Sequence, residues 1–143
     1  MVIKAKKIRE NANIPHYATT GAAAVDLYSC DAMDIQPGET VFIDTGVAFE
    51  IPEGFVGLVY ARSGLACKKG LALANGVGVI DSDFRDSVKV ALHNHSNQTR
   101  TVVAGERLAQ MIITEYPHVE FEEMDELQET ERGLGGFGSS GKF

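Results

Sequence analysis

Short runs of β-type residues recur along almost the whole chain, and turn residues separate them. The runs are VIKAKKI, AVDLYS, ETVFIDTG, VAFEIP, GFVGLVYA, GLALANG, VGVIDSDF, SVKVALHN, RTVVAG, RLAQMIIT and HVEFEE. Several of them end at or near a glycine, which supplies backbone angles that tight turns need. This cadence is typical of a sandwich, a jelly roll or a barrel, so we expect an all-β fold.

One stretch departs from the β pattern, and it is ARSGLACKKG. Ser63 is a candidate N-cap, Lys68 and Lys69 suit the negative end of a helix dipole, and Gly70 can close the last turn. The stretch therefore predicts one short helix of about two turns. With 143 residues, of which 44% are apolar, the chain is expected to form a single domain.

The overall charge limits the classes of partner. A formal net charge of −7 argues against a surface that coats nucleic acid, because that needs clustered Lys and Arg. Any phosphate site must be local. Cys30 and Cys67 form no CxxC pair and predict free thiols in a reducing compartment. The N-terminus lacks a secretory pattern and no apolar run reaches the ~20 residues of a bilayer span, so we expect a cytoplasmic protein without membrane contact.

Two segments place polar groups where they could act on a ligand. Arg62 and Ser63 stand at the positive end of the short helix, which indicates either an anion site or an ordinary capped helix. Asp81 and Asp83 follow an apolar run in VGVIDSDF. A carboxylate at a buried strand end suits a general base, but an Asp-rich turn explains the pattern equally well.

Two further polar residues interrupt apolar strands. Asp26 lies in AVDLYS and needs a partner or water if it is buried. Gln110, by strand alternation, shares a face with Leu108 and Ile112, while Arg107 points to the opposite face. Either structural hydrogen bonding or ligand binding accounts for both residues. The four histidines lack the spacing of a metal site, and a GxxxxGK[ST] phosphate loop is missing.

Taken in order, the segments AAAVDLYS, ARSGLA, NGVGVIDSDF, GERLAQMI and RGLGGFGSSG resemble the five motifs of the homotrimeric dUTP diphosphatases, the dUTPases. The resemblance covers roughly residues 15–141. It implies a jelly-roll-like β-barrel of the β-clip type over 1–131. It also implies a flexible Gly-rich lid over 132–143 that contributes to a neighbouring subunit's site, and a homotrimer that hydrolyses Mg²⁺-bound dUTP to dUMP and pyrophosphate.

The resemblance also implies a role for each motif residue. Asp81 would be the general base, and Asp26 would hold waters of the Mg²⁺ ion. The substrate-binding residues would be Arg62, Ser63, Gly64, Asn75, Gly78, Val79, Phe84, Gln110, Arg132, Phe137, Gly138, Ser139 and Ser140. Among these, Asn75 and its neighbours would read uracil, Phe84 would lie against the deoxyribose, and Phe137 would cover the base.

The chain departs from the family pattern at a few positions. Phe84 stands where Tyr is usual, which loses a phenol hydrogen bond but keeps a ring that can exclude a ribose. Asp86 replaces a usual Gly and raises a question about the backbone of that turn. Ala24 also replaces a usual Gly, while Ser140 for Thr and Glu106 for Asp are mild changes. The base, the phosphate ligands and the lid remain, so activity is expected.

Two alternatives remain open. A dCTP deaminase of the same fold would need a carboxylate poised for chemistry at the base, and SVKVAL carries no Glu. A trimeric nucleotide-binding module without turnover would not require Asp81.

Overall fold

The computed structural model describes residues 1–141, and within them regular structure is almost entirely β. The strands are β1 (Lys4–Lys7), β2 (Val25–Tyr28), β3 (Met33–Ile35), β4 (Thr40–Asp44), β5 (Val47–Glu50), β6 (Phe55–Ala61), β7 (Leu71–Leu73), β8 (Gly78–Ile80), β9 (Lys89–Asn94), β10 (Arg100–Val102) and β11 (Arg107–Glu115). A π-helical segment, Gly64–Lys69, lies between β6 and β7. The expected all-β class with one short helix is confirmed.

The strands form antiparallel sheets with a jelly-roll-like arrangement. The largest sheet has the order β2-β11-β6-β8, a second has the order β4-β9-β7, and β1-β5 and β3-β10 form two-stranded pairs. Burial alternates along β4 and β9, so one face of each strand packs inward. These sheets do not join into a continuous closed barrel among the described residues.

The core lies between the sheets and consists of aliphatic side chains. Leu27, Ile35, Ile43, Leu92 and Leu108 are fully buried within it. Burial of such side chains stabilises the fold by about 1.5–3 kcal/mol each. The fully buried Asn94 is satisfied: its Nδ2 donates to the carbonyl oxygens of Ile35 (2.9 Å) and Gln98 (2.8 Å).

Two strand predictions were wrong. HVEFEE, residues 118–123, forms no strand, and Phe121 is 95% exposed. Its alternation is that of a strand, but within the described residues it meets no strand edge with which to pair. Conversely, strand β3 was not predicted, because it is only three residues long. It is held by pairing with β10, where Ile35 lies opposite Arg100.

The helical segment is shorter and differently capped than expected. Ser63 occupies the predicted N-cap position, but it has helical backbone angles (φ −54°, ψ −39°) and its side chain makes no capping hydrogen bond. The close of the helix is as expected: Gly70 is left-handed (φ 70°) and its N–H donates to the Leu65 carbonyl. A Cβ at Gly70 would lie 3.2 Å from the Ser96 backbone nitrogen, so a side chain would also crowd the following loop.

Both cysteines are free thiols, with Cys30 buried and Cys67 exposed. The helical segment of six residues is too short to span a membrane. Within residues 1–141, no helix is both long enough and apolar enough to do so.

Candidate active site

A carboxylate on β2 holds two arginine side chains. Asp26 is 9% exposed, its Oδ1 lies 2.9 Å from Arg62 Nε, and its Oδ2 lies 3.2 Å from Arg107 Nη1. Arg62 comes directly after β6, and its Nη1 also donates to the Arg107 carbonyl (3.3 Å). The burial of Asp26 is therefore compensated by two cations, and the two guanidinium groups are held close to one another.

A bulge in β11 brings Arg107 into this cluster. Gln110 lies opposite Asp26 and Ala109 opposite Leu27, but Arg107 is the next residue in register, opposite Tyr28. One extra residue on β11 thus reverses the alternation, and Arg107 reaches the face that carries Asp26. The expectation that Arg107 points away from Gln110 was wrong for this reason. Leu108, which was expected to share the face of Gln110, is buried in the core instead.

Gln110 is half-buried beside the same cluster. Its Nε2 donates to the Ala61 carbonyl (2.9 Å), which orients the amide at the end of β6. The side chain borders an open depression of about 550 Å³, lined also by Tyr60 and by Ala22 and its neighbours. Ser63 and Gly64 are exposed at the start of the helical segment that follows Arg62. We name Asp26, Arg62, Ser63, Gly64, Arg107 and Gln110 the arginine cluster.

A second group of predicted residues surrounds β8 and the turn that connects it to β7, a strand of a different sheet. Asn75, Gly78 and Val79 line a narrow pocket of about 100 Å³ together with Lys89 of β9. A Cβ at Gly78 would lie 3.1 Å from Val59 Cβ and 3.7 Å from Asn75 Nδ2. Glycine at this position therefore keeps the pocket open beside the Asn75 amide.

Asp81 comes directly after β8 in an exposed loop. With Ser82, Asp83 and Arg85 it borders a depression of about 840 Å³. Phe84 is 41% exposed, and its N–H donates to the Asp81 carbonyl at 3.3 Å. The ring and the carboxylate are thus presented by one turn. We name Asn75, Gly78, Val79, Asp81 and Phe84 the β8 cluster.

Asp86, which stands in this loop in place of the usual glycine, does not need a glycine backbone here. Among the described non-glycine residues only Phe137 has a positive φ. The Asp86 Oδ1 accepts the Ser87 N–H at 2.7 Å, so the side chain stabilises the end of the loop locally.

The two clusters lie at opposite ends of β6. Ile80, the residue before Asp81, pairs with Gly57, whereas Ser63 lies two residues beyond the end of β6. From Gly57 to the end of β6 at Ala61 the strand advances four residues, roughly 13 Å at about 3.3 Å per residue, and Ser63 lies beyond that end. A single copy of the chain therefore does not bring Asp81 next to Ser63.

The C-terminal segment contributes no residue to either cluster within its own chain. Among residues 1–141, every hydrogen bond of the stretch after Tyr116 stays within residues 130–141. Arg132 Nε donates to the Gly135 carbonyl (2.9 Å), and Phe137 is fully exposed with a left-handed backbone (φ 43°). Gly138, Ser139 and Ser140 are exposed beside it, while residues 142–143 of the predicted lid lie outside the described residues.

Comparison with known proteins identifies the family. The dUTPase family model matches residues 10–141. The chain belongs to the dUTPase family. It is 47% identical over 142 residues to the deoxyuridine 5'-triphosphate nucleotidohydrolase of Nautilia profundicola, covering 99% of this chain and 100% of that one. It is 52% identical over 131 residues to the same-named protein of Desulfitobacterium hafniense, covering 90% and 87%.

A solved dUTPase has the same fold over nearly the whole chain. The Staphylococcus bacteriophage 80alpha dUTPase with dUPNHPP superposes with a TM-score of 0.91 at 27% identity, covering 99% of both chains. The family assignment made from the five motifs is confirmed.

Two residues at the clusters were not among the predicted site residues: Arg107 belongs to the arginine cluster, and Lys89 lies beside the β8 cluster. Arg107 was assigned to the wrong face because a bulge leaves no mark in the alternation of apolar and polar residues. Lys89 lines the narrow pocket beside Asn75 and Gly78. No local pattern indicates this, because the pocket joins β9 to residues of β8 and of the preceding turn.

Proposed function

We propose that this chain hydrolyses dUTP to dUMP and pyrophosphate. The observation that carries the proposal is the pairing of Arg62 and Arg107 on Asp26, beside the Gln110 amide. A chain of net charge −7 concentrates two guanidinium groups at one place, as a polyphosphate site requires. Family membership at 47% identity to a deoxyuridine 5'-triphosphate nucleotidohydrolase supports the substrate.

In the proposed reaction, the Asp81 carboxylate accepts a proton from a water molecule. The water oxygen attacks the α-phosphorus, the bond to the bridging oxygen breaks, and pyrophosphate leaves. Phosphoryl transfer depends chiefly on positioning and on neutralising charge on the phosphate oxygens. Arg62, Ser63, Gly64, Gln110 and Arg107 are placed to supply donors for that purpose. The exposed position of Asp81 leaves the carboxylate accessible to water.

Magnesium is proposed to arrive with the triphosphate. Within the described residues there is no group of three or more His, Cys, Asp or Glu that could hold a metal ion by itself. Mg²⁺ commonly binds through one or two carboxylates, waters and substrate phosphates, and Asp26 fits that mode as the nearby carboxylate. When bound, Mg²⁺ would neutralise phosphate charge. Asp26 would contact its waters while keeping Arg62 in place.

Base and sugar selection are assigned to the β8 cluster. The narrow pocket beside Asn75, Gly78 and Val79 suits a flat pyrimidine, and its backbone groups can pair with the uracil edge. Cytosine carries an amino donor where uracil has a carbonyl, so a buried group would be left unpaired. Phe84, on the same turn as Asp81, is placed to exclude a ribose 2′-OH.

The separation of the clusters supports a site shared between copies, which the proposed homotrimer would provide. Because roughly 13 Å of β6 lies between Gly57, the partner of Ile80, and the strand end before Ser63, a site with both Asp81 and Ser63 needs two copies. The outer face of the β2-β11-β6-β8 sheet carries apolar side chains suited to such contacts, including the 61% exposed Val79. Leu58 pairs with Val79 and with Ile112 on that sheet. Burial of this face between copies would stabilise the assembly.

The C-terminal segment is proposed to reach a neighbouring copy. It leaves the body after Tyr116, and apolar side chains along it are exposed, namely Val119, Phe121, Met124 and Leu127. A segment of this kind is expected to be covered in the assembly. Arg132, Ser139 and Ser140 would then grip phosphates, with Gly138 allowing close approach and Phe137 covering the base.

The decisive experiment measures pyrophosphate release from dUTP, dCTP, dTTP and UTP, with Mg²⁺ and then with EDTA. Release from dUTP that is abolished by EDTA is the expected result. Ammonia release from dCTP would favour the deaminase alternative, which the structure disfavours because β9 carries no acidic residue. Tight dUTP binding without pyrophosphate would favour a binding module. In a cytoplasmic setting, the reaction would limit uracil incorporation into DNA and supply dUMP.

A further inference from the structure

The loop after β8 carries two residues of the proposed site but little backbone support. Residues 81–87 have no regular structure, and the hydrogen bond from the Phe84 N–H to the Asp81 carbonyl is long at 3.3 Å. Both the Asp81 carboxylate and the Phe84 ring are exposed. Their mutual placement therefore depends on contacts other than this one backbone bond.

The two ends of the loop are fixed by different parts of the fold. At the start, Ile80 pairs with Gly57 of β6. At the end, the buried Ser87 donates through Oγ to the Asp44 carboxylate, which also accepts the Gly46 N–H at 2.8 Å. Only the middle of the loop, residues 82–85, lacks support from a neighbouring strand.

Arg85 supplies contacts in this middle part. Its Nη1 donates to the Ser82 carbonyl at 2.6 Å and to the Phe84 carbonyl at 3.0 Å. These two carbonyls flank Asp83, so one guanidinium nitrogen bridges the two sides of the turn. A hydrogen bond from a charged donor is stronger than the neutral backbone bond in the same turn.

We propose that Arg85 is a positioning residue that holds the turn between Asp81 and Phe84, and thereby sets both the direction of the general base and the position of the sugar-excluding ring. The inference rests on the proposed function of this site. Because Arg85 acts on the Phe84 carbonyl, its loss should move the Phe84 ring as well as the Asp81 carboxylate. Misalignment of the Asp81 carboxylate lowers turnover of every nucleotide, whereas displacement of the Phe84 ring changes the selection between deoxyribose and ribose.

The test compares kcat/KM for dUTP and for UTP in four proteins. Arg85→Met keeps the aliphatic stem and removes the donors, and Arg85→Lys restores a cation with N–H groups. Arg100→Met is the matched control, since Arg100 is a partly buried arginine on β10 whose Nε donates to Ser96 Oγ outside both clusters. Melting temperatures and trimer content are recorded for all variants.

We expect Arg85→Met to lower kcat/KM for dUTP by about tenfold or more, as the loss of charged hydrogen bonds implies. The ratio of kcat/KM for dUTP to that for UTP should fall several-fold, Arg85→Lys should recover part of it, and Arg100→Met should leave it unchanged. A purely structural role would lower the active fraction and leave the ratio constant, so an unchanged ratio in folded Arg85→Met overturns the inference. If Arg85→Met does not fold, Arg85→Gln takes its place, and an unchanged ratio in that variant overturns the inference in the same way. Failure of the wild-type chain to hydrolyse dUTP would instead refute the proposed function.

Discussion

Arg107 reaches Asp26 across a bulge in β11, with Nη1 of the arginine 3.2 Å from Oδ2 of the carboxylate. The same carboxylate holds Arg62 through its other oxygen. One acidic side chain thus orients two cations toward the surface next to Gln110. If a triphosphate binds there, Arg107 belongs to the binding residues although its motif position suggests the opposite face.

We expect Arg107→Gln to raise the KM for dUTP by about tenfold, which corresponds to ~1.4 kcal/mol of lost binding. kcat should change less, because Arg107 is assigned to phosphate binding and not to proton transfer. Steady-state kinetics at fixed Mg²⁺ measure both. Arg100→Gln, on β10, is the control and should leave KM unchanged. A normal KM in Arg107→Gln would remove Arg107 from the proposed site.

Asp81→Asn tests the general base. The variant should bind a non-hydrolysable imido analogue of dUTP nearly as well as the wild type, while kcat falls by about 10²- to 10⁴-fold, the usual contribution of a general base. Calorimetry measures the affinity for the analogue, and pyrophosphate release measures kcat. Asp83→Asn is a matched control from the same loop and should retain most activity. Equal losses in both variants would mean that loop charge, not Asp81, is responsible.

The deoxyribose preference tests Phe84. Because the ring still occupies the position where a 2′-OH would fit, we expect kcat/KM for dUTP to remain well above that for UTP. Phe84→Ala should reduce this ratio, and Phe84→Tyr should leave it near the wild-type value. Competition assays with both nucleotides measure the ratio of kcat/KM for dUTP to that for UTP. A wild-type ratio near one would show that Phe84 does not exclude ribose.

The sequence predicted the structure well where one local pattern decides it. Asp81 does follow a strand, and Gly70 does close the helical segment in a left-handed conformation. Prediction from the sequence failed where the position of a residue or strand depends on another segment of the chain. The bulge that turns Arg107 is a property of the β11–β2 pair, and residues 118–123 alternate like a strand yet meet no strand edge in their own chain.

The distribution of the site over two clusters was not derivable from residue patterns. Asp26, Gln110 and Tyr60 are neighbours only because β11 lies between β2 and β6. The distance from Asp81 to Ser63 follows from the same sheet order. The motif resemblance implied sites shared between subunits, and the register supplies the physical reason for that proposal.

Removal of the C-terminal residues tests the proposed lid. A chain that ends at Glu131 should fold and assemble normally, since the hydrogen bonds of the described residues beyond it stay within 130–141. Its dUTP hydrolysis should be severely reduced, because Arg132 and Phe137 are lost. Circular dichroism, melting temperature and pyrophosphate release are compared with the full chain. Full activity of the shortened chain would reduce this segment to a dispensable tail.

The Asp44 carboxylate gives a pH-dependent contribution to stability. Burial acts to raise its pKa, but hydrogen bonds from Ser87 and Gly46 and the positive charge of Arg9 outweigh burial, so the pKa lies below its ordinary value. A carboxyl group with a lowered pKa in the folded state stabilises the fold above its unfolded pKa, which is about 3.9, and this contribution is lost as the pH falls through the folded value.

We therefore expect Asp44→Asn to lower the free energy of unfolding by about 1–3 kcal/mol at pH 7, in the range of hydrogen bonds to charged groups. The difference from the wild type should shrink as the pH falls below about 4. Urea denaturation between pH 3 and pH 7, at one protein concentration, measures this difference in the free energy of unfolding. Asp34→Asn, which removes an exposed carboxylate that accepts a hydrogen bond from Thr101 Oγ1, is the control. A loss in Asp44→Asn that is the same at all pH values would show that the charge of Asp44 is not what stabilises the loop.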